Sequence, residues 1–293
     1  MKHNADIVRV SAHGGHSGQF CLHARDDLEQ IVAAYAAAGF RWIGLTEHMP
    51  PMTDAGRYPD EVEAGLSAAQ MQRRFAAYVA TARQLQQHYA GRMTIYVAME
   101  GEFYAGAIPW IRRLRREYAL DYIVGSVHHV HECCFDFGRA DYARALELCG
   151  GYAELYCAYF DAQFAMLHHL QPAVVGHFDL IRLYDDAYPA HLLLPEVQQR
   201  IERNLAFIAA NGLLLDFNTR ALFKGAAEPY LSAPLLRRAL DMGIELVPGD
   251  DSHGVDSVAA GIDSAIAILK DNGYHCQWRT PCDSNATPAT NGV

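Results

Sequence analysis

No apolar run of about 18 residues occurs in the chain, so no membrane-spanning helix is expected. The opening stretch Met1-Lys2-His3-Asn4-Ala5-Asp6 lacks the basic-then-apolar layout of a signal peptide, and a soluble cytoplasmic protein is the expectation. Seven cysteines form an odd set without framework spacing or a CxxC pair, and the adjacent Cys133 and Cys134 cannot easily bridge to each other. All seven read as reduced, mostly buried apolar residues. A G-x-S-x-G elbow, a G-x-G-x-x-G turn and a P-loop are all missing, which excludes the usual serine-hydrolase, dinucleotide and nucleotide signatures. Positive charge is scarce: 24 Lys and Arg stand against 34 Asp and Glu, a net charge of −10. That balance argues against nucleic acid or an anionic membrane as a partner. The one basic run, Arg112-Arg113-Leu114-Arg115-Arg116, has a helical context and reads as a solvated outer face. A small phosphorylated substrate remains compatible with an acidic chain if bound cations offset its charge locally.

What the chain does have is a recurrence. Seven short apolar runs each stop at a residue type that binds metals. Asp6 to Ala12 runs into His13, Arg41 to Thr46 into Glu47-His48, and Met93 to Met99 into Glu100. Asp121 to Val127 leads to His128-His129, Ala173 to Gly176 to His177, and Leu213 to Phe217 to Asn218. Ile244 to Pro248 ends at Gly249-Asp250-Asp251-Ser252-His253. Residues so far apart can meet if each caps a parallel strand of one barrel, where the carboxyl ends of the strands carry the chemistry. A His-rich cluster with a few carboxylates suits hydrolytic divalent metals.

Between these runs lie segments of helical period. Asp27 caps the first with Gln30 three residues on, and Gly39 ends it. Met71, Phe75, Tyr78, Ala82 and Leu85 form the stripe of a long helix over 67–88. Further helices are expected over 107–118, 140–169, 195–211, 232–242 and 257–271. The alternation of strand and helix, seven times over, predicts an α/β fold of one domain over residues 1–274, a distorted (β/α)7 barrel with its metal site at the C-terminal strand ends. The loop from Met49 to Gly65 is long enough to fold over the barrel mouth. Residues 275–293, rich in Ser, Asn, Thr, Pro and Gly, read as a disordered tail.

Individual positions carry the chemistry. His13, His16 and His23 place three imidazoles in eleven residues, with glycines that let the backbone wrap around a ligand. Glu100 and Glu102 share one face of a strand by alternation, so one could bridge two metals while the other orients histidine ligands. Alternation also means that only one of His128 and His129 faces inward, and His131 reads as a loop residue. Asp179 stands beside His177 and could fix its tautomer. Two adjacent carboxylates, Asp250 and Asp251, would be costly to bury without a cation. His168-His169 lies mid-helix and reads as structural. With a serine elbow missing and no partner geometry for a cysteine nucleophile, metal activation of water remains.

Taken in order, the chain resembles the polymerase and histidinol phosphatase (PHP) superfamily, and within it the histidinol-phosphatase branch. The likeness runs over about residues 6–272. It rests on His16-Ser17-Gly18 with Phe20-Cys21-Leu22-His23, Leu45-Thr46-Glu47-His48-Met49-Pro50, Met99-Glu100-Gly101-Glu102, Gly125-Ser126-Val127-His128-His129-Val130, Gly176-His177-Phe178-Asp179-Leu180-Ile181-Arg182, Asp216-Phe217-Asn218-Thr219 and Gly249-Asp250-Asp251-Ser252-His253. The resemblance implies three divalent ions: zinc, iron or manganese. The first would take the opening His pair, Glu100 and Asp251; the second Glu100, His128 and His177; the third His23, His48 and His253. Glu47, Glu102, Asp179, Asn218 and Asp250 would stand behind the ligands. A hydroxide bridging metals would attack phosphorus in line, with Asp251 and His253 placed to assist departure of the alkoxide.

Two positions depart from the family pattern. Gly14 stands where the first His of His-x-His is expected, and His13 sits one place earlier. Phe223 replaces an Arg that contacts phosphate, while Arg220 appears three residues before it; Arg182 matches the other phosphate-binding Arg. The resemblance implies hydrolysis of L-histidinol phosphate to L-histidinol and phosphate, in histidine biosynthesis. The alternatives are another small phosphate ester or a metal-binding barrel that has lost catalysis. Oligomeric state stays open.

Overall fold

The strands are Arg9–Ser11 (β1), Phe40–Leu45 (β2), Thr94–Val97 (β3), Met99–Glu102 (β4), Ile123–Ser126 (β5), His129–Val130 (β6), Cys133–Cys134 (β7), Val174–Val175 (β8), Leu214–Asn218 (β9) and Leu246–Gly249 (β10), in a computed structural model that describes residues 8–282. β1, β2 and β3 pair in that order, and β10, β9, β8, β5 and β4 form a second sheet; every pairing in both is parallel. β6 and β7 make a small antiparallel hairpin. The expected third strand is one run bent at Ala98: its first half pairs with β2 and its second with β5. At the far edges, Ala12 N donates to Pro248 O at 2.9 Å and Asp251 N to His13 O at 2.8 Å, so the exits of β1 and β10 meet.

Side-chain alternation then sorts the core. Val10, Trp42, Ala98, Val124, Val174, Leu214 and Val247, one from each parallel segment, pack with Ala12 and Tyr122 into a single inner cluster. Tyr122 crosses it to donate to Ala12 O at 2.7 Å, and a Cβ on Gly44 would fall 1.6 Å from that hydroxyl, so position 44 has no room for a side chain. The opposite strand faces meet the helices: Ile43 and Leu45 lie with Leu28, Ile31 and Tyr35 of the helix Leu28–Ala37. Ser67 and Gln70 cap the helix Ala68–His88 reciprocally, and Met71, Phe75, Tyr78, Ala82 and Leu85 form its buried stripe. Parallel pairing brings the carboxyl ends of all these strands to one side of the molecule, and the polar strand-exit residues with them.

Several boundaries differ from those read in the sequence. The segment 140–169 is two helices, Arg139–Cys149 and Tyr152–Leu170, because Gly150 and Gly151 take φ of 90° and 155° and break the chain direction. The last helix starts at Ile262 instead of residue 257, after a short 3-10 turn over Val255–Ser257. The loop 49–65 contains a 3-10 turn and the helix Pro59–Glu63. Of the seven cysteines, all free, only Cys21 and Cys133 are buried, a correction to the expectation that most would be. Residues 275–282, assigned by composition to a disordered tail, lack regular secondary structure yet are tied down. Trp278 Nε1 donates to Val8 O at 2.8 Å and Arg279 reaches Gly212 O at 2.7 Å. The remainder of that tail lies outside the described residues. Among the described residues, no helix is long and apolar enough to cross a membrane.

Candidate metal centre

Glu100, buried on β4, is the hub. Its Oε1 lies 3.0 Å from His177 Nε2, 3.3 Å from His13 Nε2 and 3.4 Å from His128 Nε2, and its Oε2 lies 3.1 Å from His48 Nδ1. His128 and His177 approach each other Nε2 to Nε2 at 3.3 Å. Asp251, held at φ 48°, forms a second focus: its Oδ1 is 3.4 Å from His16 Nε2 and 3.9 Å from His13 Nε2. A third group lies nearer the mouth, where His23 Nε2 meets His48 Nε2 at 3.0 Å. The His253 ring stacks on His16 at 4.3 Å and lies 5.4 Å and 5.6 Å from the rings of His23 and His48. All nine expected ligands therefore converge. Of the adjacent pair, His128 faces in and His129 sits in the β6 hairpin.

The same geometry orients the rings. His13 Nδ1 contacts Asp216 Oδ2 at 2.8 Å, His16 Nδ1 contacts Glu47 Oε1 at 3.3 Å, and His128 Nδ1 lies 3.6 Å from Glu102 Oε1. His23 Nδ1 meets Asp60 Oδ2 at 3.4 Å, and His253 Nδ1 meets the Asp251 carbonyl at 2.9 Å. Each contact engages one ring nitrogen and leaves Nε2 for the centre, the usual arrangement behind a histidine ligand. Asn218 Nδ2 donates to Asp216 Oδ2 at 3.0 Å and to Asp251 Oδ2 at 3.4 Å, fixing both carboxylates. The departure at Gly14 also resolves. Its φ is 154°, and a Cβ there would lie 2.5 Å from Asp250 Oδ1 and 2.7 Å from Tyr35 OH. Position 14 cannot carry a ligand here, and His13 faces the cluster in its place.

Whether the residues suit metal ions can be tested on their own atoms. His13 Nε2, His16 Nε2 and Asp251 Oδ1 are buried and make no hydrogen bond. Buried polar atoms are seldom left so, and these three point at one another. Ligands about 2.0–2.2 Å from a tetrahedral ion stand about 3.3–3.6 Å apart along its edges. The separations of 3.3 Å for His13–Glu100, 3.4 Å for His16–Asp251 and 3.4 Å for His128–Glu100 match that spacing. Electrostatics agrees. Among the described residues, no Lys or Arg lies within 4.0 Å of the buried Glu47, Glu100, Glu102, Asp216 and Asp251, only imidazoles. Burial opposes charge on His13, yet Glu100 and Asp251 hold its imidazole protonated well above the usual range. Burial likewise opposes charge on Glu100 and Asp251, and the surrounding imidazoles together outweigh it, His13 and His128 at Glu100 and His13, His16 and His253 at Asp251, holding both well below the carboxylate range. A centre that pulls this strongly on protons is suited to cations.

Three expected residues do other work. Asp179 does not reach His177; it accepts from Leu231 N, Ser232 N and Arg182 Nε at 3.2, 2.9 and 3.2 Å, and so clamps a loop. Asp250 accepts from Tyr35 OH, Ser11 Oγ and Ala259 N at 2.5, 2.9 and 2.8 Å, and ties the exit of β10 to its surroundings. Burial pushes its carboxyl up to about 6. Arg182 is held by Asp179, by the carbonyls of Glu228 and Pro229 at 3.1 and 2.5 Å, and between the rings of Tyr188 and Tyr230. It is not among the residues that line the cavity over the centre, where Arg220 is. That cavity, of about 300 Å³, is lined by Arg220 and Lys224, by Asp136 and Phe137, and by Tyr58 and Tyr230 among others. Arg220 Nη1 is buried without a partner and so is free to serve a ligand.

Sequence reasoning missed Asp216 as the holder of His13, although two-residue alternation along β9 puts it on the face of Asn218. It also missed Asp136, which sits in a loop with no period to read.

Residues 14–220 match the family model of the PHP domain. The chain belongs to the PHP family. The match starts one residue after His13 and stops before Asp251 and His253, three residues that the geometry brings to the same centre. A Schizosaccharomyces pombe protein named "Probable histidinol-phosphatase" is 34% identical over 288 residues, covering 96% of this chain and 93% of the relative. The histidinol-phosphatase of Saccharomyces cerevisiae is 29% identical, covering 89% of this PHP chain and 88% of its own. Among solved structures, the histidinol phosphate phosphatase of Lactococcus lactis, complexed with zinc, L-histidinol and phosphate, superposes with a TM-score of 0.71 at 19% identity. The superposition covers 92% of this chain and 95% of that one, and shows the shared fold.

Proposed function

We propose that this PHP chain is a metal-dependent phosphomonoesterase that converts L-histidinol phosphate and water to L-histidinol and phosphate. The observation that carries the reading is the full-length likeness to histidinol-phosphatases, joined to a nine-residue cluster of matching ligand types at the strand ends. The seven parallel segments, the inner cluster that draws on each, and the hydrogen bonds between the exits of β1 and β10 support a distorted (β/α)7 barrel as the frame.

His13, His16, Glu100 and Asp251 would hold one ion, Glu100, His128 and His177 a second, and His23, His48 and His253 a third. A set of imidazoles and carboxylates accepts zinc, iron or manganese. Bound ions would supply Lewis acidity, acidifying water and offsetting charge on the phosphoryl oxygens. The protein does the rest. Arg220 and Lys224, both lining the cavity, hold the phosphate end of the ester. Arg220 thus takes the place of the Arg lost at Phe223, whose ring lies beneath the Arg220 guanidinium at 5.2 Å. Asp251 lines the same cavity as an ionised carboxylate, so it would assist departure of the alkoxide by relaying a proton taken from the attacking water. Burial and His16 hold His253 well below its usual range, which suits a neutral ligand better than a proton donor.

Phosphate release from L-histidinol phosphate by purified, metal-analysed protein tests the reading, with Asp251→Asn as control. Turnover lost in the variant is the expected result. No turnover with ions bound would overturn that substrate. The engaged Arg182 and the changed Arg motif favour another small phosphate ester as the second reading, and a substrate panel separates the two.

A further inference from the structure

The cavity over the centre carries charge of both signs. Arg220 and Lys224 follow β9, whereas Asp136 and Phe137 follow the β6–β7 hairpin that leaves β5. β8 separates β5 from β9 in the sheet, so the cationic and anionic groups enter from strands two places apart. Arg220 and Lys224 suit phosphate. Asp136 has no such partner: among the described residues no Lys or Arg nitrogen lies within 4.0 Å of its carboxylate, and its one ion-pair contact is His128 Nε2 at 3.9 Å. Among the described residues its Oδ1 accepts from Cys134 Sγ alone, at 3.3 Å. Beside it Phe137 is 41% exposed, and it faces Tyr58 at 6.2 Å with an interplanar angle of 27°.

A carboxylate next to an open aromatic pair is a receptor for an organic cation, the acid supplying charge and the rings a flat wall. We propose that Asp136, with Phe137 and Tyr58, is the specificity-determining element that selects phosphate esters whose alcohol carries a positive charge. The inference rests on the phosphomonoesterase reading above and adds what the site demands of the rest of the substrate. Binding is then bipolar. The phosphate is drawn to Arg220 and Lys224 and the cation to Asp136, which fixes the direction in which the ester enters.

The test compares the holoenzyme with Asp136→Asn on L-histidinol phosphate, phosphoethanolamine and ethyl phosphate, with metal content measured for both proteins. In the wild type the cationic esters should be preferred over ethyl phosphate. In the variant that ratio of kcat/KM should fall about tenfold to a hundredfold, mainly through KM, the size expected of a lost hydrogen bond to a charged group. Inhibition by L-histidinol should weaken by a similar factor, and inhibition by inorganic phosphate should weaken far less. Parallel losses on all three esters, or a drop in bound metal, would mean that Asp136 acts through His128 and would overturn the proposal. So would a wild type with no preference for cationic esters. A wild type that prefers phosphoethanolamine to ethyl phosphate but ignores L-histidinol phosphate would overturn the substrate named above and leave this inference standing.

Discussion

A histidine serves an ion well only when its other ring nitrogen is held, and at His13 that task falls to Asp216. The 2.8 Å contact fixes which nitrogen faces Glu100 and Asp251. Asp216→Asn keeps the shape but weakens the grip, and bound metal measured after dialysis should fall, with affinity reduced about 10–100-fold. Unchanged affinity would mean that Asn218 alone positions the ring. The arginines make the complementary case. Arg220→Ala should lower kcat/KM for the phosphate ester about tenfold or more, by loss of a charge-assisted contact. Arg182→Ala should lower the thermal midpoint while changing KM little, because Arg182 holds the 228–232 loop together. The opposite pattern in steady-state kinetics and melting curves would reverse the two roles. Most of the nine expected ligands were legible in the sequence because they lie at the exits of apolar runs, and His16 and His23 because they crowd the loop after the first. Asp179 and Arg182 touch the 228–232 loop, which nearness to His177 in sequence does not reveal, since it does not say which way the 3-10 turn Leu180–Arg182 carries them.

At the scale of elements, the strands were legible from short apolar runs and the helices from their stripes, but the joints were not. Gly150 and Gly151 look like one permissive spot in a long helical pattern; only the left-handed φ of Gly150 shows that the chain ends one helix there and starts another. The segment 275–282 is a clearer failure of composition. It is polar and aperiodic, yet Trp278 packs against all three core clusters, and the Arg279 guanidinium lies 2.5 Å from Glu245. A chain cut after Tyr274 would therefore lose real contacts. Urea unfolding should show a loss of about 1–3 kcal/mol, in the range of a half-buried aromatic anchor removed together with an ion pair. An unchanged midpoint would make the segment an ornament of the fold.

For the whole molecule, the decisive fact is that the carboxylates are gathered at one end. Glu47, Glu100, Glu102, Asp216 and Asp251 are all buried beside the strand exits, in a chain that already carries ten net negative charges. Hydrophobic packing between sheet and helices must hold these groups together against their repulsion, and bound cations would turn that repulsion into cross-links among six chain segments far apart in sequence. Ions that bind only the folded state stabilise it by about 1.4 kcal/mol for each tenfold excess over the dissociation constant. In a domain of this size, 1 kcal/mol moves the thermal midpoint by about 2 °C. Treatment with dipicolinate should therefore lower the midpoint by several degrees and abolish phosphatase activity, and zinc, manganese or iron(II) should restore both. Asp251→Asn, with one focus of the cluster neutralised, should lose less on chelation, because fewer ions remain to be removed and less charge is left exposed to itself. An equal midpoint with and without chelator would instead place the stability of the strand ends in the imidazole–carboxylate contacts alone, and would remove the cations from the account of why this fold can keep five buried acids in one place.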